Sequence, residues 1–277
     1  MEIKTYNLTD TEFNEIKKIV FDFTGISLSD TKKALVISRL SKRLRKLNMN
    51  SFLEYLDFLK GNRDEVFFVI NSITTNHTMF YRESNQFQTL KKKILPEILE
   101  YKKKKKDNRI RIWSSACSSG EEVYTILFEL FEFFNGSIPS DLDLKVLGSD
   151  IDTNVLKKAK SGIYASDELR GIELTILNKY FNKIHDNKYS VKQIIKNYAV
   201  FSKINLVYDD FKFKNLVDIL FCRNVVIYFN SETKRKVYEK FHKIMADLSY
   251  LFSGHAESLF NYNDMFSFVE KSIYRKV

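Results

Sequence analysis

Cysteine is scarce in this sequence, and long apolar runs are missing. The two cysteines, Cys117 and Cys222, have no CxxC spacing and no histidine cluster nearby, so neither a zinc site nor a disulfide is predicted. The longest purely apolar runs, such as 66–70, are far too short to cross a bilayer, and the amino-terminal residues lack the apolar segment of a signal peptide. We therefore expect a protein of the cytoplasm.

Glycine is sparse, and lysine is absent, in a loop that follows the first predicted strand. The stretch RIWSSACSSGEE (111–122) joins a short apolar run to small residues and then to two adjacent carboxylates. A phosphate-binding loop would contain several glycines and a lysine, whereas this loop has Gly120 alone. Carboxylates accept hydrogen bonds from amines and hydroxyls. The loop therefore predicts a neutral or cationic ligand.

Positive charge is in excess but unevenly distributed. The formal net charge is +10, and residues 1–107 hold 21 Lys and Arg against 14 Asp and Glu, whereas residues 108–277 hold 24 against 21. The lysine run at 102–106 is interpreted as a solvated connector, because adjacent like charges repel and do not share a buried face. Charge alone does not indicate a nucleic-acid partner.

A predicted helix over 31–47 has one apolar face and one strongly basic face. No Asp or Glu follows Asp30 within it, so its positive charge has no compensation nearby in the sequence. The basic face is either solvated or a docking surface for an acidic partner, and it lacks the aromatic residues that would stack nucleic-acid bases. Its members, at helical spacing, are Arg39, Lys42, Arg43 and Lys46.

The hydrophobic pattern divides the chain into a helical part, 1–81, a connecting helix or linker, 82–108, and an alternating strand and helix part, 109–277. Thr9 and Asp10 are cap candidates for the first helix, and Gly25 is its expected break. Short apolar strands that alternate with amphipathic helices predict a parallel, doubly wound α/β sheet. The strands are expected at 109–116, 144–150, 198–205 and 217–224, with an antiparallel pair at 249–258 and 267–276.

Polar residues that follow the predicted strands are candidates for ligand binding, because ligands of open α/β sheets bind beyond the carboxyl ends of the strands. They include Asp150 after the second strand, Asn205 after the third and Asn224 after the fourth. Asp150 is placed to accept hydrogen bonds from two ribose hydroxyls, but it is equally well placed to cap the helix that follows. Both interpretations stay open on the residues alone.

Five motifs stand out in order along nearly the whole chain. They are NHTMFYRE (76–83), RIWSSACSSGEEVYTI (111–126), GSDIDTNVLKKAKSGIY (148–164), DILFCRNVVIYF (218–229) and SGHAESL (253–259). Together they resemble the chemotaxis-receptor methyltransferases of the CheR type. The resemblance implies a Rossmann-like α/β fold that uses S-adenosylmethionine, with an amino-terminal helical domain and a small β-subdomain inserted at 162–198. It also implies methyl transfer to glutamate side chains on the cytoplasmic helices of chemoreceptors.

The resemblance also assigns site residues, position by position. Of the two acids in the first loop it favours Glu121 as a contact, while Glu122 begins the helix. Arg82 is predicted to position the acceptor carboxylate or the cofactor, and Tyr228 to line the transfer site or, alternatively, to pack in the core. The family usually has Glu where His77 stands. The implied cofactor contacts are Asn76, Thr78, Arg82, Ser115, Glu121, Asp150, Asn205, Leu206, Asn224 and Val225.

The expected chemistry is direct in-line displacement, in which a glutamate carboxylate attacks the sulfonium methyl group and S-adenosylhomocysteine leaves. No metal or base is needed, because the carboxylate is already ionised near neutral pH, so His77 is not expected to be a base. The basic face would then recognise acidic receptor helices. His255, Cys117 and Trp113 are interpreted as structural.

Two other functions compete with this prediction. A binding module would sense S-adenosylmethionine without turnover, and an RNA methyltransferase would use the basic helix. The absence of aromatics from 31–50 weakens the RNA interpretation. The expected protein is a cytoplasmic monomer that neither binds nucleic acid nor inserts into the membrane.

Overall fold

The computed structural model describes residues 5–73 and 77–277. Its internal contacts divide the chain into two compact units. The first unit comprises Met1–Thr75 and Tyr228–Thr233, and the second comprises Asn76–Ile227 and Lys234–Val277. Within the described ranges, every helix is too short or too polar to serve as a bilayer span.

The first unit packs α-helices around one apolar core. Its first helix opens with a capping box, in which the Thr9 hydroxyl accepts the Glu12 N–H at 3.3 Å and the Glu12 carboxylate accepts the Thr9 N–H at 2.7 Å. The helix ends at Gly25, whose φ of 73° lies in the left-handed region that glycine favours. Both predicted ends are therefore confirmed. The helices are α1 Asp10–Thr24, α2 Lys33–Lys46, α3 Phe52–Leu59 and α4 Arg63–Ile73.

One residue of the basic face on α2 is committed to an ion pair. Nε and Nη2 of Arg43 donate to the two carboxylate oxygens of Glu65 on α4 at 2.8 and 2.5 Å, and the Tyr55 hydroxyl donates to the same carboxylate at 2.6 Å. Glu65 is only 4% exposed, so Arg43 compensates a buried charge. The prediction of an uncompensated face is wrong for Arg43, because its partner lies 22 residues further along the chain. The exposed members of the face are Arg39, Lys42 and Lys46.

The second unit is built on a seven-stranded sheet in the order β6-β2-β1-β7-β8-β10-β9, with a separate three-stranded sheet, β3-β5-β4. Neighbours among β6, β2, β1 and β7 run parallel, as predicted, and β8 also runs parallel to β7. The strands are β1 Arg109–Ser115, β2 Asp143–Asp150, β3 Ile163–Ala165, β4 Phe181–His185, β5 Lys188–Val191, β6 Ala199–Lys203, β7 Val217–Cys222, β8 Met245–Ser253, β9 Phe266–Glu270 and β10 Ile273–Lys276.

The order of the strands in the large sheet shows where a ligand site is expected. The chain moves from β1 to β2 and β6 on one side, and then returns to place β7 and β8 on the other side of β1. The order therefore reverses between β1 and β7, which is where ligands of such sheets bind. The helices are α5 Asn85–Thr89, α6 Leu95–Lys104, α7 Glu121–Phe133, α8 Thr153–Ser161, α9 Leu174–Tyr180, α10 Gln193–Lys196 and α11 Ser231–Ile244, with a π-helical turn at Leu90–Ile94.

The carboxyl-terminal strands confirm the predicted antiparallel pairing but not its extent. β8 pairs antiparallel with β10, as predicted, and it runs parallel to β7 on its other side. The stretch 267–276, predicted as one strand, contains parts of the two hairpin strands β9 and β10. Ser272 between them has a φ of 61°, a left-handed conformation that ends one strand and starts the next.

The lysine run is only partly a solvated connector. Its first three residues belong to α6, and the Lys102 side chain is 13% exposed. Lys102 Nζ lies 2.7 Å from a carboxylate oxygen of the fully buried Asp218 and 3.0 Å from Asp107. The interpretation of a wholly solvated run is wrong for Lys102, because a buried carboxylate from β7 requires a cation there.

The small sheet β3-β5-β4 lies in the segment predicted to be inserted, and it packs firmly on the second unit. Aromatic rings join this sheet to the rest of the unit, with the centroids of Phe80 and Tyr164 5.0 Å apart and those of Phe128 and Phe181 5.4 Å apart. The Tyr164 hydroxyl donates to the carbonyl of Ser119, in the loop after β1, at 2.7 Å. The inserted sheet therefore supports a loop of the candidate site directly.

Candidate active site

The loop between β1 and α7 has an unusual backbone. Ala116, Ser118 and Gly120 all have positive φ, at 58°, 49° and 93°. A Cβ on Gly120 would come within 2.8 Å of the Cβ of Ala159, so both sterics and φ require glycine there. The Ser118 N–H donates to an Asp150 carboxylate oxygen at 2.9 Å and ties this loop to the end of β2. The one glycine of the loop is therefore required by the backbone conformation of the loop.

The two adjacent acids at the start of α7 have different partners. Glu122 accepts the Ser114 hydroxyl at 2.7 Å and Nη1 of Arg223 at 2.8 Å, so it has a structural ion pair. Glu121 accepts a neutral donor, the Ser119 hydroxyl, at 2.8 Å, and it is 3% exposed. Burial raises the pKa of Glu121. A buried carboxylate with a neutral partner favours a cationic ligand, which agrees with the choice of Glu121 as the contact.

Asp150 ends β2 and holds two backbone segments. One oxygen accepts the Ser118 N–H and the other accepts the Asp152 N–H, both at 2.9 Å. The cap of α8 is Asp152, whose side chain accepts the Asn154 N–H at 2.7 Å. The helix-cap interpretation of Asp150 is therefore wrong. A carboxylate offers about four acceptor positions, so Asp150 keeps lone pairs for ligand hydroxyls.

Replacing Asp150 by asparagine should weaken binding of S-adenosylhomocysteine roughly tenfold, because an ionised acceptor of ligand hydroxyls is lost. Burial raises the pKa of Asp150 to about 6. Wild-type affinity should therefore fall as the pH decreases through that value, since protonation removes acceptor capacity, and the variant should show a shallower pH profile. Calorimetric titration measures both effects. Asp152→Asn is the control, because asparagine caps a helix equally well. Equal losses in the two variants would remove Asp150 from the ligand site.

Arg223 is a buried connection between three segments around the site. Its side chain is 2% exposed, and Nη2 lies 3.2 Å from a Glu83 carboxylate oxygen and donates to the Arg82 carbonyl. Nη1 reaches Glu122 at the start of α7, and the guanidinium lies 5.4 Å from the Phe87 ring centroid. From the sequence, Arg223 was only a polar residue at a strand end. The structure makes it the group that fixes residues 82–83 against β7 and α7.

Glu257 organises the loops after β7 and β8, and sequence reasoning missed it. One carboxylate oxygen accepts the N–H groups of Asn224 and Gly254 at 2.8 and 2.7 Å, and the other accepts the Val225 N–H at 2.9 Å. Two of the predicted cofactor contacts, Asn224 and Val225, are thus positioned through their backbone. An acid among small residues just after a strand was the available indication in SGHAESL.

Other predicted contacts lie at the same edge of the sheet with partners of their own. The Ser115 hydroxyl donates to the Phe221 carbonyl at 2.9 Å, across the β1–β7 junction. Asn205 Oδ1 accepts the Val207 N–H at 2.9 Å and shapes the turn after β6, and Leu206 is buried. The carboxyl ends of β1, β2, β6 and β7 therefore bring these residues to one edge, as predicted.

The motif NHTMFYRE is described from His77 onward, and Asn76 lies outside the described residues. Nη1 of Arg82 donates to the His77 carbonyl at 3.0 Å, and Glu83 pairs with Arg223 instead of with Arg82. Thr78 is half-buried. The carboxylate of Glu83, the one acid of this motif, is therefore paired with Arg223 and not with Arg82.

Tyr228 is grouped with the first unit, where its carbonyl accepts the Ser27 N–H at 2.9 Å.

Two residues interpreted as structural are confirmed as such. Trp113 is 1% exposed, and its Nε1 donates to the Ser149 hydroxyl at 2.9 Å. Cys117 is 2% exposed, and burial raises the pKa of its thiol. His255 is exposed, with Nε2 3.8 Å from Glu83.

The donor and acceptor set at this edge fits S-adenosylmethionine. Asp150 offers acceptors for the ribose hydroxyls, and Glu121 is a buried carboxylate without a cationic hydrogen-bond donor among those observed. A nucleotide phosphate would need a glycine-rich loop after β1, whose N–H groups bind oxyanions. In this chain that loop ends in two acids instead. Across the described ranges, no group of three or more His, Cys, Asp or Glu could hold a metal ion.

The doubly wound sheet and its acidic first loop define a methyltransferase that uses S-adenosylmethionine. Residues 76–275 match the family model described as CheR methyltransferase, SAM binding domain, and residues 11–74 match CheR methyltransferase, all-alpha domain. The chain therefore belongs to the CheR methyltransferase family. The predicted family, fold class and cofactor are confirmed.

Curated relatives extend the match along nearly the full chain. A protein of Borreliella burgdorferi is 38% identical over 98% of this chain and 95% of its own length. Proteins of Escherichia coli and Salmonella typhimurium are 34% and 35% identical over 96% of this chain, covering 91% and 90% of their lengths. All three are named chemotaxis protein methyltransferase.

Proposed function

We propose that this enzyme transfers the methyl group of S-adenosylmethionine to glutamate side chains on the cytoplasmic helices of chemoreceptors. The observation that carries the proposal is the match of both its helical and its methyltransferase parts to one family, over nearly the whole length of relatives named for chemotaxis. Because the acceptor helices are cytoplasmic, the enzyme is proposed to act in the cytoplasm. It is also proposed to act as a monomer.

The residues contribute alignment and electrostatics to the reaction. When bound, the cofactor supplies a sulfonium methyl group. Asp150 and Glu121 hold the sugar and the amine, and Arg82 orients the acceptor carboxylate through its guanidinium fork. The acceptor is ionised near neutral pH, so no residue of the chain has to remove a proton from it.

Incubation of the purified protein with methyl-labelled cofactor and receptor-containing membranes tests the proposal. Label should enter the receptors and be released by base as methanol, which marks an ester. Tight cofactor binding with no labelled acceptor would instead indicate a sensor, and label in total RNA would indicate an RNA methyltransferase.

The exposed cations of α2 are proposed to recognise the acidic receptor helices. Arg39, Lys42 and Lys46 are exposed, and within the described residues no carboxylate forms an ion pair with them. Arg43, the fourth residue of the basic face, is paired with the buried Glu65. Complementary charge of this kind raises association rates and helps to select partners.

Reversing Arg39 and Lys46 to glutamate should raise the KM for receptors roughly 5- to 10-fold at low salt and less at high salt, because screening weakens exposed charge pairs. Cofactor affinity should not change. Steady-state methylation at two ionic strengths measures the effect. The control reverses Lys18 of α1 and Lys32 in the turn before α2, which gives the same change in net charge. A receptor KM that stays at the wild-type value in low salt would reject this role for the basic face.

A further inference from the structure

A basic cavity lies in the second unit at the edge of the sheet where β1 and β7 begin. Its volume is about 510 Å³, which is within the usual range for small-molecule sites. Arg109 and Arg111 at the start of β1 and Asn215 and Leu216 just before β7 form part of its wall. The cofactor loops follow the opposite ends of the same strands, so this cavity is separate from the proposed active site.

The wall carries more positive than negative side chains. Ion pairs fix part of it, since Lys102 is held by the buried Asp218 and by Asp107. Nε of Arg109 lies 2.8 Å from Asp107, and Nη2 of Arg111 pairs with Asp143. Asp107 and Asp247 are the carboxylates of the lining. The cations are Lys102, Lys105, Arg109, Arg111 and Lys214.

Two of these cations have no carboxylate partner among the described residues. Lys105 lies near the end of α6, with Nζ 5.7 Å from the Tyr101 ring centroid, and Lys214 lies in the segment before β7. Both are exposed. Like charges gathered from separate segments around one concavity repel each other, and a bound anion would relieve that repulsion.

We propose that this cavity binds a small molecule that carries a diphosphate or triphosphate group. Lys and Arg are the side chains that bind phosphate oxygens, Arg through its planar fork and Lys as a point charge. Three of the five cations already have carboxylate partners, so Lys105 and Lys214 are the two to which phosphate oxygens would supply negative charge. Tyr101 and Leu216, the latter 53% exposed, add apolar surface against which a ring can pack.

Calorimetric titration with sodium pyrophosphate, and separately with ADP, tests the proposal. Saturating S-adenosylhomocysteine is present throughout, so that the adenosine of ADP does not enter the cofactor pocket. Both probes should bind with one-to-one stoichiometry, and more weakly as salt increases. Tighter binding of ADP would place its ring against Tyr101 and Leu216, and equal binding would assign recognition to the phosphates alone.

The decisive variant is Lys105→Ala with Lys214→Ala, which should lose affinity for pyrophosphate roughly tenfold, because two solvent-exposed charge contacts disappear. Both side chains are exposed, so folding should be preserved. The control is Lys103→Ala with Lys212→Ala. It removes one cation from the same lysine run and one from the segment before β7, and neither lines the cavity.

Three results would overturn the proposal. One is the absence of saturable binding of either probe at low salt. Another is an equal loss of affinity in the control variant, which would show that only overall charge matters. The last is binding to phosphatidylglycerol vesicles without binding to soluble phosphates, because the basic surface would then face a membrane.

Discussion

Arg223→Ala should lower the free energy of unfolding of the second unit by about 3–5 kcal/mol. The substitution leaves Glu122 and Glu83, whose side chains are each 13% exposed, without the cation that pairs with them. It also removes the donor to the Arg82 carbonyl. Urea denaturation followed by the fluorescence of Trp113, the one tryptophan of the chain, measures the change within the sheet.

Arg235→Ala is the matched control, because Arg235 also pairs with two acids but on the surface. Its side chain is 49% exposed, with Asp264 at 2.6 Å and Glu239 at 3.2 Å. Exposed pairs contribute about 1 kcal/mol or less, so this variant should remain close to wild type. Equal destabilisation by the two substitutions would contradict the role given to Arg223. Should Arg223→Ala not fold, Arg223→Lys keeps the charge and should recover part of the stability.

Arg82→Ala should slow methyl transfer roughly 10- to 100-fold in single turnover at saturating cofactor, because a charge-assisted contact to the acceptor is lost in the reacting geometry. Arg82 forms no ion pair with its neighbour Glu83, which is engaged by Arg223, so its guanidinium is available to an acceptor carboxylate. Calorimetry gives the cofactor affinity separately and shows whether binding falls too.

Arg82→Lys distinguishes positioning from charge. Lysine keeps the positive charge but loses the fork, so it should also be slow even when the cofactor site is full. Arg235→Ala again serves as the control and should react at the wild-type rate. Transfer at full rate by Arg82→Ala would leave Arg82 as a binding residue only and would shift the catalytic role to Tyr228 and to alignment.

Local patterns predicted most of the fold. The strand β7, VDILFC, is apolar except for Asp218 and is buried along its whole length, as a central parallel strand requires. The capping box at Thr9 and the glycine at the end of α1 were visible for the same reason, since each depends on neighbours a few residues away. The hairpin of β9 and β10 was missed because only two residues, Lys271 and Ser272, turn the chain inside an apparently continuous pattern.

Contacts between distant segments set the limit of sequence reasoning at the site. Counting charges within a helix could not show that Glu65 pairs with Arg43, and the lysine run gave no indication that Asp218 would bury beside Lys102. Glu257 acts on backbone N–H groups of another loop, which only the assembled sheet brings close. The cofactor contacts implied by the resemblance, and the transfer role of Tyr228, remain predictions.

The hydrogen bond from Tyr164 to Ser119 has a consequence for how this enzyme can diversify. The two ends of the small sheet are neighbours, because the Val191 N–H donates to the Gly162 carbonyl at 2.9 Å. Recombination between related genes could therefore exchange the sheet as one piece. Its removal would uncover Phe80 and Phe128 and leave the loop after β1 without the Tyr164 donor. The subdomain and the cofactor loop must therefore change together in evolution, and a chimera would have to inherit both from one parent.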